Sequence, residues 1–216
     1  TYNYSGGSHL RMGSGAGFSV EFAADNLLRQ NQGTLVIETD GGTSLGGVGG
    51  SNTGRLIVTN AVNASLARAS ALNNGIFGAH LVGADSSGSA YFLANDATTG
   101  FVPYAGASQA SLSGNNPTAI GNITGPDVLT GTNSIYAFKT SADVSGGTLK
   151  VTAIDNVKMG GVLINGSNTI SSNLVFDPTS ATAPGTGIPG EALVYVKTGE
   201  SAVLSGNVTS NAFTKF

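Results

Sequence analysis

One local pattern recurs along this chain of 216 residues: a glycine, a small or polar residue, then leucine or valine leading a run of β-formers. It reads GTLVIET at 33–39, GRLIVTN at 54–60, GTLKVTA at 147–153 and GVLINGS at 161–167. Each is a strand entered through a glycine turn and left through a polar residue. Further strand candidates are IFGAHLVGA (76–84), AYFLAND (90–96), SIYAFKT (134–140), NLVFD (173–177) and ALVYVKT (192–198). Their spacing is about twenty residues with shorter intervals between, and self-similarity without a fixed period marks a solenoid whose units share geometry more than sequence. A β-sandwich would instead space its strands about 8–12 residues apart through hairpin turns.

The expected architecture is therefore all-β, a parallel β-helix running through residues 1–216 as one continuous rod. At about 4.8 Å per rung, ten rungs would span roughly 50 Å. From Leu35 to Leu56 is 21 residues, which suits one strand returning beside the other after a full turn. Period-two alternation points Leu35, Ile37, Leu56, Val58, Leu149, Val151, Leu163, Val194 and Val196 inward, and turns Val36 and Ile57 the other way. Only NASLARASALNN (63–74) invites a short helical turn, and its apolar face is thin.

Two stretches read as long loops, the glycine-rich 40–54 and the proline- and glycine-rich 177–191. The first, DGGTSLGGVGGSNTG, invites a test for phosphate binding. A dinucleotide turn needs G-x-G-x-x-G between a strand and a helix, and Gly47 and Gly49 are followed by Asn52 where the third glycine belongs. A P-loop continues with Lys and Ser or Thr, whereas Gly49 and Gly54 lead into Arg55 and Leu56. GGVGGSN (46–52) begins like a calcium-binding nonapeptide but lacks its aspartate and a second copy. The stretch is left as a loop.

Composition agrees with stacked β structure. Charged residues make up 10% of the chain against about 25% in ordinary domains. Glycine, 33 of 216, is at roughly twice its usual 7% or so. Surface polarity thus falls to Ser, Thr and Asn, which suit strands and corners. With nine Lys plus Arg and a net charge of −3, the chain lacks the basic footprint of a nucleic-acid or anionic-membrane binder. It has no cysteine, which removes disulfides and thiolate metal sites. The opening TYNYSGGSHL has neither the basic nor the apolar region of a signal peptide, and no run approaches the roughly 18 apolar residues of a membrane span. The chain reads as a mature product or an excerpt of something longer.

Candidate chemistry is sparse. β-Helices that cleave polysaccharides need paired carboxylates, or acids around calcium beside a base. The twelve acids here are scattered, and the nearest approximations are Asp85 with Asp96 and Asp143 with Asp155, all among turn residues. His9 and His80 have no local acid partner, and His80 reads as either a satisfied semi-buried residue or an exposed one. GADSSG (83–88) has the G-x-S-x-G elbow out of register. No residue carries the pattern of a catalytic, cofactor-binding or metal site. Sequons at Asn3, Asn63, Asn122, Asn165 and Asn207 are what chance gives in a chain so rich in Asn, Ser and Thr. The aromatics Tyr91, Phe92, Phe101, Tyr104, Tyr136, Phe138 and Tyr195 read as core, with a carbohydrate-stacking stripe as the alternative.

The segments SGGSHLRMGSGAGFSVEF (5–22), LRQNQGTLVIET (28–39), NGIFGAHLVGADSSGSAYFLANDATTGFVPYAG (74–106) and LSGNVTSNAFTKF (204–216) resemble passengers of autotransporter-like proteins built from autotransporter-associated β-strand repeats. The resemblance extends loosely over the whole chain and carries no catalytic residues. It implies a right-handed parallel β-helix on a bacterial surface, extracellular, with adhesive or structural roles and no enzymatic activity. Alternatives are a polysaccharide-cleaving or tailspike-like β-helix and a subunit of an end-to-end stacked filament. The expected partners are further rungs, from copies or flanking segments of the same protein, with surface glycans or other cells next. Neither TYNYSGGSHLRM nor SGNVTSNAFTKF looks like a cap, so both ends are expected to continue as β structure.

Overall fold

The computed structural model describes residues 1–13, 17–40, 42–46, 52–60, 75–96, 98–106, 109–152, 160–176 and 190–216. The helical turn expected at 63–74, residues 41 and 47–51 of the first expected loop and 177–189 of the second lie outside the described residues. Among the described residues every regular element is a β-strand. The chain divides into two compact units, Thr1–Ala105 and Gly106–Phe216.

The first unit contains β1 (Tyr2–Tyr4), β2 (Gly7–Gly13), β3 (Ser19–Ala24), β4 (Leu27–Arg29), β5 (Thr34–Asp40), β6 (Ser44–Leu45), β7 (Thr53–Val58), β8 (Leu81–Ala84), β9 (Ala90–Asp96) and β10 (Gly100–Pro103). The chain lays β1, β2 and β3 down in succession and then repeats the course. β4 pairs in parallel with β1, β5 with β2 and β7 with β3. The return takes 25 residues from Tyr2 to Leu27, 27 from Ser8 to Leu35 and 34 from Phe22 to Leu56. The expected 21-residue return from Leu35 to Leu56 is thus corrected: β5 lies between β2 and β8, while β7 lies between β3 and β6. One circuit comprises three strands with their corners, and the glycine-rich stretch lengthens it further.

Parallel pairing ends after β8. β9 folds back antiparallel on β8, and β10 antiparallel on β9. Chain length is the reason: a parallel crossover takes about a dozen residues or more, and only residues 85–89 and 97–99 separate these strands in sequence. Leu93 and Phe101 of this hairpin join Tyr4, Met12, Leu35, Ile37, Leu56 and Leu81 in one buried cluster. Gly100 is required here. Its φ is +79°, and a Cβ would sit 2.2 Å from the Leu56 carbonyl oxygen, so glycine alone lets the hairpin lie against the β7 backbone.

The second unit contains β11 (Asn115–Ile123), β12 (Asp127–Thr140), β13 (Val144–Val151), β14 (Gly161–Ile164), β15 (Thr169–Ile170), β16 (Asn173–Phe176), β17 (Glu191–Val196), β18 (Val203–Leu204), β19 (Val208–Thr209) and β20 (Ala212–Lys215). They form one ten-stranded sheet in which every pairing is parallel. The chain returns to the same strand positions in order. The start of β12 pairs with the start of β13, β13 with β15 and β15 with β18. The middle of β12 pairs with the end of β13, then β16 and β19 follow. The end of β12 receives β11 on one side and β14, β17 and β20 in turn on the other.

Like side chains stack as a result. Val144 lies beside Ile170 and Ile170 beside Leu204; Leu149 beside Leu174 and Leu174 beside Val208; Phe138 beside Val162 and Val162 beside Val194. All belong to, or pack against, one apolar cluster. Burying one such side chain stabilises by about 1.5–3 kcal/mol before the entropy of ordering it is counted. The corner after the first strand position uses glycine: Gly131, Gly146 and Gly147 have φ of +63°, +71° and +45°, and a Cβ on Gly147 would meet the Gly131 carbonyl oxygen at 2.6 Å. The corner is thereby tight enough for successive turns to stack.

Of the residues expected inward, Leu35, Ile37 and Leu56 lie in the first cluster, and Leu149, Val151 and Val194 in the second. Val58 and Val196 pack against these clusters half-buried. Val36 is buried outside the first cluster and Ile57 is half-buried. Leu163 is a correction. Val162 and Ile164 join the inner cluster, whereas Leu163 stands between Lys139 and Tyr195 on the other face and is buried there. GVLI is continuously apolar, so its phase is set by its register against β12 rather than by alternation.

Candidate functional site

The carboxylates that came nearest to a catalytic pair staple turns. Asp85 follows β8, and its Oδ1 accepts the backbone N–H of Ser87 at 2.8 Å, that of Ser89 at 3.0 Å and the Ser87 hydroxyl at 2.6 Å. Asp96 ends β9, and its Oδ1 accepts the N–H groups of Thr98 and Thr99 at 2.8 Å each and the Thr99 hydroxyl at 3.0 Å. The Thr99 and Thr98 amides, then the Thr99 hydroxyl, hold the Asp96 carboxyl below the usual carboxylate range by stabilising its charged form. These are the two short turns that make the β8–β9–β10 meander possible.

In the second unit acids tie one circuit of chain to another. Asp127 Oδ2 accepts the Leu112 N–H at 2.6 Å, and Asp143 Oδ1 accepts the Thr169 N–H at 2.7 Å. Asp155 lies outside the described residues, so the pairing considered for Asp143 is not placed. Glu191, buried at the start of β17, accepts the Thr214 hydroxyl of β20 at 2.9 Å. Among the described residues no group of three or more His, Cys, Asp or Glu side chains could hold a metal ion, and no helix is long and apolar enough to cross a membrane.

The two histidines have different fates. His9 is exposed on β2 opposite Val36. His80, in the turn before β8, is 6% exposed. Its ring stacks on Tyr4 with centroids 6.3 Å apart and planes at 14°, and Phe77 leans on it at 6.0 Å. Arg29, the last residue of β4, is also buried, and its Nε donates to the Gly33 carbonyl at 2.7 Å. Nδ1 of His80 is buried without a hydrogen-bond partner. Burial foremost, and the Arg29 charge second, push the imidazole pKa down to about 3. Burial likewise raises the Tyr4 phenol, with Arg29 opposing.

This Tyr4–Arg29–His80 cluster is the most unusual polar grouping in the first unit. Three chain segments build it, β1, β4 and the turn 75–80, which are distant in sequence. The sequence left His80 open between a semi-buried and an exposed residue; Tyr4 and Arg29 carried no signal, because a strand residue and a single arginine look the same whether or not a third segment covers them. The aromatics divide as core residues would: Phe92, Phe101, Tyr136, Phe138 and Tyr195 are buried, and Tyr91 and Tyr104 half-buried. The well-exposed rings are Phe18 and Phe213. Compared with protein-family models, curated proteins and solved structures, the chain matches none.

Proposed function

We propose that this chain is a non-catalytic structural or adhesive segment of an exported bacterial surface protein, and that its second unit winds as a right-handed β-helix. The observation that carries this reading is the ordered return of β12–β20 to the same parallel strand positions. Stacking of that kind produces length and buries backbone hydrogen bonds, which suits an extended scaffold that must resist proteases. The acids of the turns and corners support it too, because Asp85, Asp96, Asp127 and Asp143 are engaged as hydrogen-bond acceptors of backbone amides.

The partner class follows from strand chemistry. Among the described residues β18, β19 and β20 each pair on one side, with β15, β16 and β17. Val203 and Phe213 on those strands are 52% and 50% exposed. A row of free N–H and C=O groups flanked by apolar side chains is a template for further β structure of the same protein.

Antibodies raised against the 216-residue protein should label intact source cells without permeabilisation. The purified protein should release no reducing ends from a panel of surface polysaccharides. Labelling confined to permeabilised cells, or steady release of reducing ends, overturns the reading. A left-handed winding in an experimental structure overturns the handedness alone.

A further inference from the structure

We propose that His80 is an acid-operated latch, which releases the turn 75–80 from β1 and β4 when its ring takes up a second proton. Residues 75–80 are anchored by the buried Ile76 and Ala79, by Phe77 set edge-on against Phe101 at 5.2 Å and by the Phe77 N–H on the Leu93 carbonyl at 2.7 Å, and His80 supplies the contact with β1. Its ring lies flat on Tyr4 of β1, Phe77 of its own turn tilts against it, and its carbonyl accepts the N–H of Leu35 on β5 at 2.9 Å. Among the described residues, the titratable or charged groups set against the ring are Tyr4 and Arg29.

The environment accepts a neutral imidazole and rejects a charged one. Imidazolium needs acceptors for both ring N–H groups, and the buried Nδ1 has no partner. It would also place a second cation near Arg29, where the burial of both residues weakens solvent screening. The turn has little room to adjust: Gly78 has φ of +143°, and a Cβ there would meet His80 Cε1 at 2.8 Å. Protonation is therefore relieved by moving the ring out to solvent, and the turn goes with it.

The direction in pH follows by linkage. The folded-state pKa of about 3 lies below the unfolded value near 6.5, so the contribution of His80 to stability is fully present above about pH 6.5. It is lost progressively as pH falls from there towards 3, because the opened state takes up the proton first. Two pH units below 6.5 the opening equilibrium is shifted by roughly 100-fold.

Hydrogen exchange of the whole chain, corrected for intrinsic exchange rates and followed by mass spectrometry at pH 7 and pH 4.5, tests the latch. Peptides spanning 75–84 should lose up to roughly 100-fold of their protection at pH 4.5, while those from 127–151 keep theirs. His80→Phe, which keeps the stacking and cannot titrate, should abolish the difference. Should that variant not fold, an NMR titration of the wild-type His80 ring decides instead, with its signals moving only as the 75–84 amides lose protection. Unchanged protection at pH 4.5, persistence of the pH effect in His80→Phe, or a ring that titrates near 6.5 while 75–84 stays protected overturns the proposal.

Discussion

The Asn133 side-chain carbonyl accepts the Gly114 N–H at 2.7 Å, tying two successive circuits of the chain where β11 begins. The Asn133 Nδ2 donates to Thr130 O at 3.1 Å, so the amide closes its own corner as well. Asn173 repeats part of this arrangement, its Oδ1 accepting the Asn207 N–H at 3.0 Å. Asn133 is 5% exposed, whereas the Asn173 contact is open to water. Replacing Asn133 by Leu strands a donor and an acceptor and should destabilise the second unit by about 2 kcal/mol; Asn173→Leu should cost less, about 0.5–1 kcal/mol. Exchange protection of 115–140 amides under mild denaturant measures both, and equal losses would contradict the account.

Gly100 and Gly42 separate a steric requirement from a conformational one. Both have φ of +79°, but a Cβ on Gly42 meets nothing within 4 Å while one on Gly100 meets the Leu56 carbonyl at 2.2 Å. Gly42→Ala should cost only the left-handed penalty, about 1–2 kcal/mol. Gly100→Ala adds an overpacking cost of about 1–3 kcal/mol, because the hairpin must lift from β7. Urea midpoints of the two variants should differ in that order.

The Arg55 guanidinium joins neighbouring strands to the β9–β10 turn. It donates to Glu21 Oε2 at 2.7 Å and to the Thr98 carbonyl at 2.6 Å. The ion pair is partly exposed, so a double-mutant cycle between Arg55→Met and Glu21→Gln should yield a coupling of about 0.5–1 kcal/mol that shrinks in 0.5 M salt. Loss of the Thr98 contact should appear separately, as faster exchange in the 98–101 segment in Arg55→Met alone. A coupling that ignores salt would contradict this assignment.

Asp96 sets a second pH window, distinct from that of His80. Its carboxyl is held below the ordinary value by the Thr99 and Thr98 amides, so its contribution is present above about pH 4 and lost as pH falls through the lowered folded value. Protection of the Thr98 and Thr99 amides should persist at pH 4.5 and fall only in stronger acid. In Asp96→Ala the same amides should exchange fast at every pH. Fraying of the wild-type turn already at pH 6 would show that the carboxylate is not its staple.

Much of the local structure was legible because it depends on near neighbours. The glycine-led runs at 33–39, 54–60, 147–153 and 161–167 all contain strands, and Leu149, Val151 and Val194 alternate as period two requires. The turn roles of Asp85 and Asp96 were equally local, each serving amides within four residues. What lay beyond reach was partner choice. Whether Leu35 pairs with Ser8 or Leu56, whether Leu163 points in or out, and whether β9 runs with or against β8 depend on the length of chain between strands and on register against a neighbour. The site shows the same division: His80 was visible as a residue, but its burial against Tyr4 and Arg29 required three separate segments to meet. Alternation and turn chemistry are properties of adjacent residues, so strands, corners and the all-β class can be read from the order of residues. Pairing, face and pKa arise from contacts between residues far apart in the chain, and these emerge when the folded strands meet.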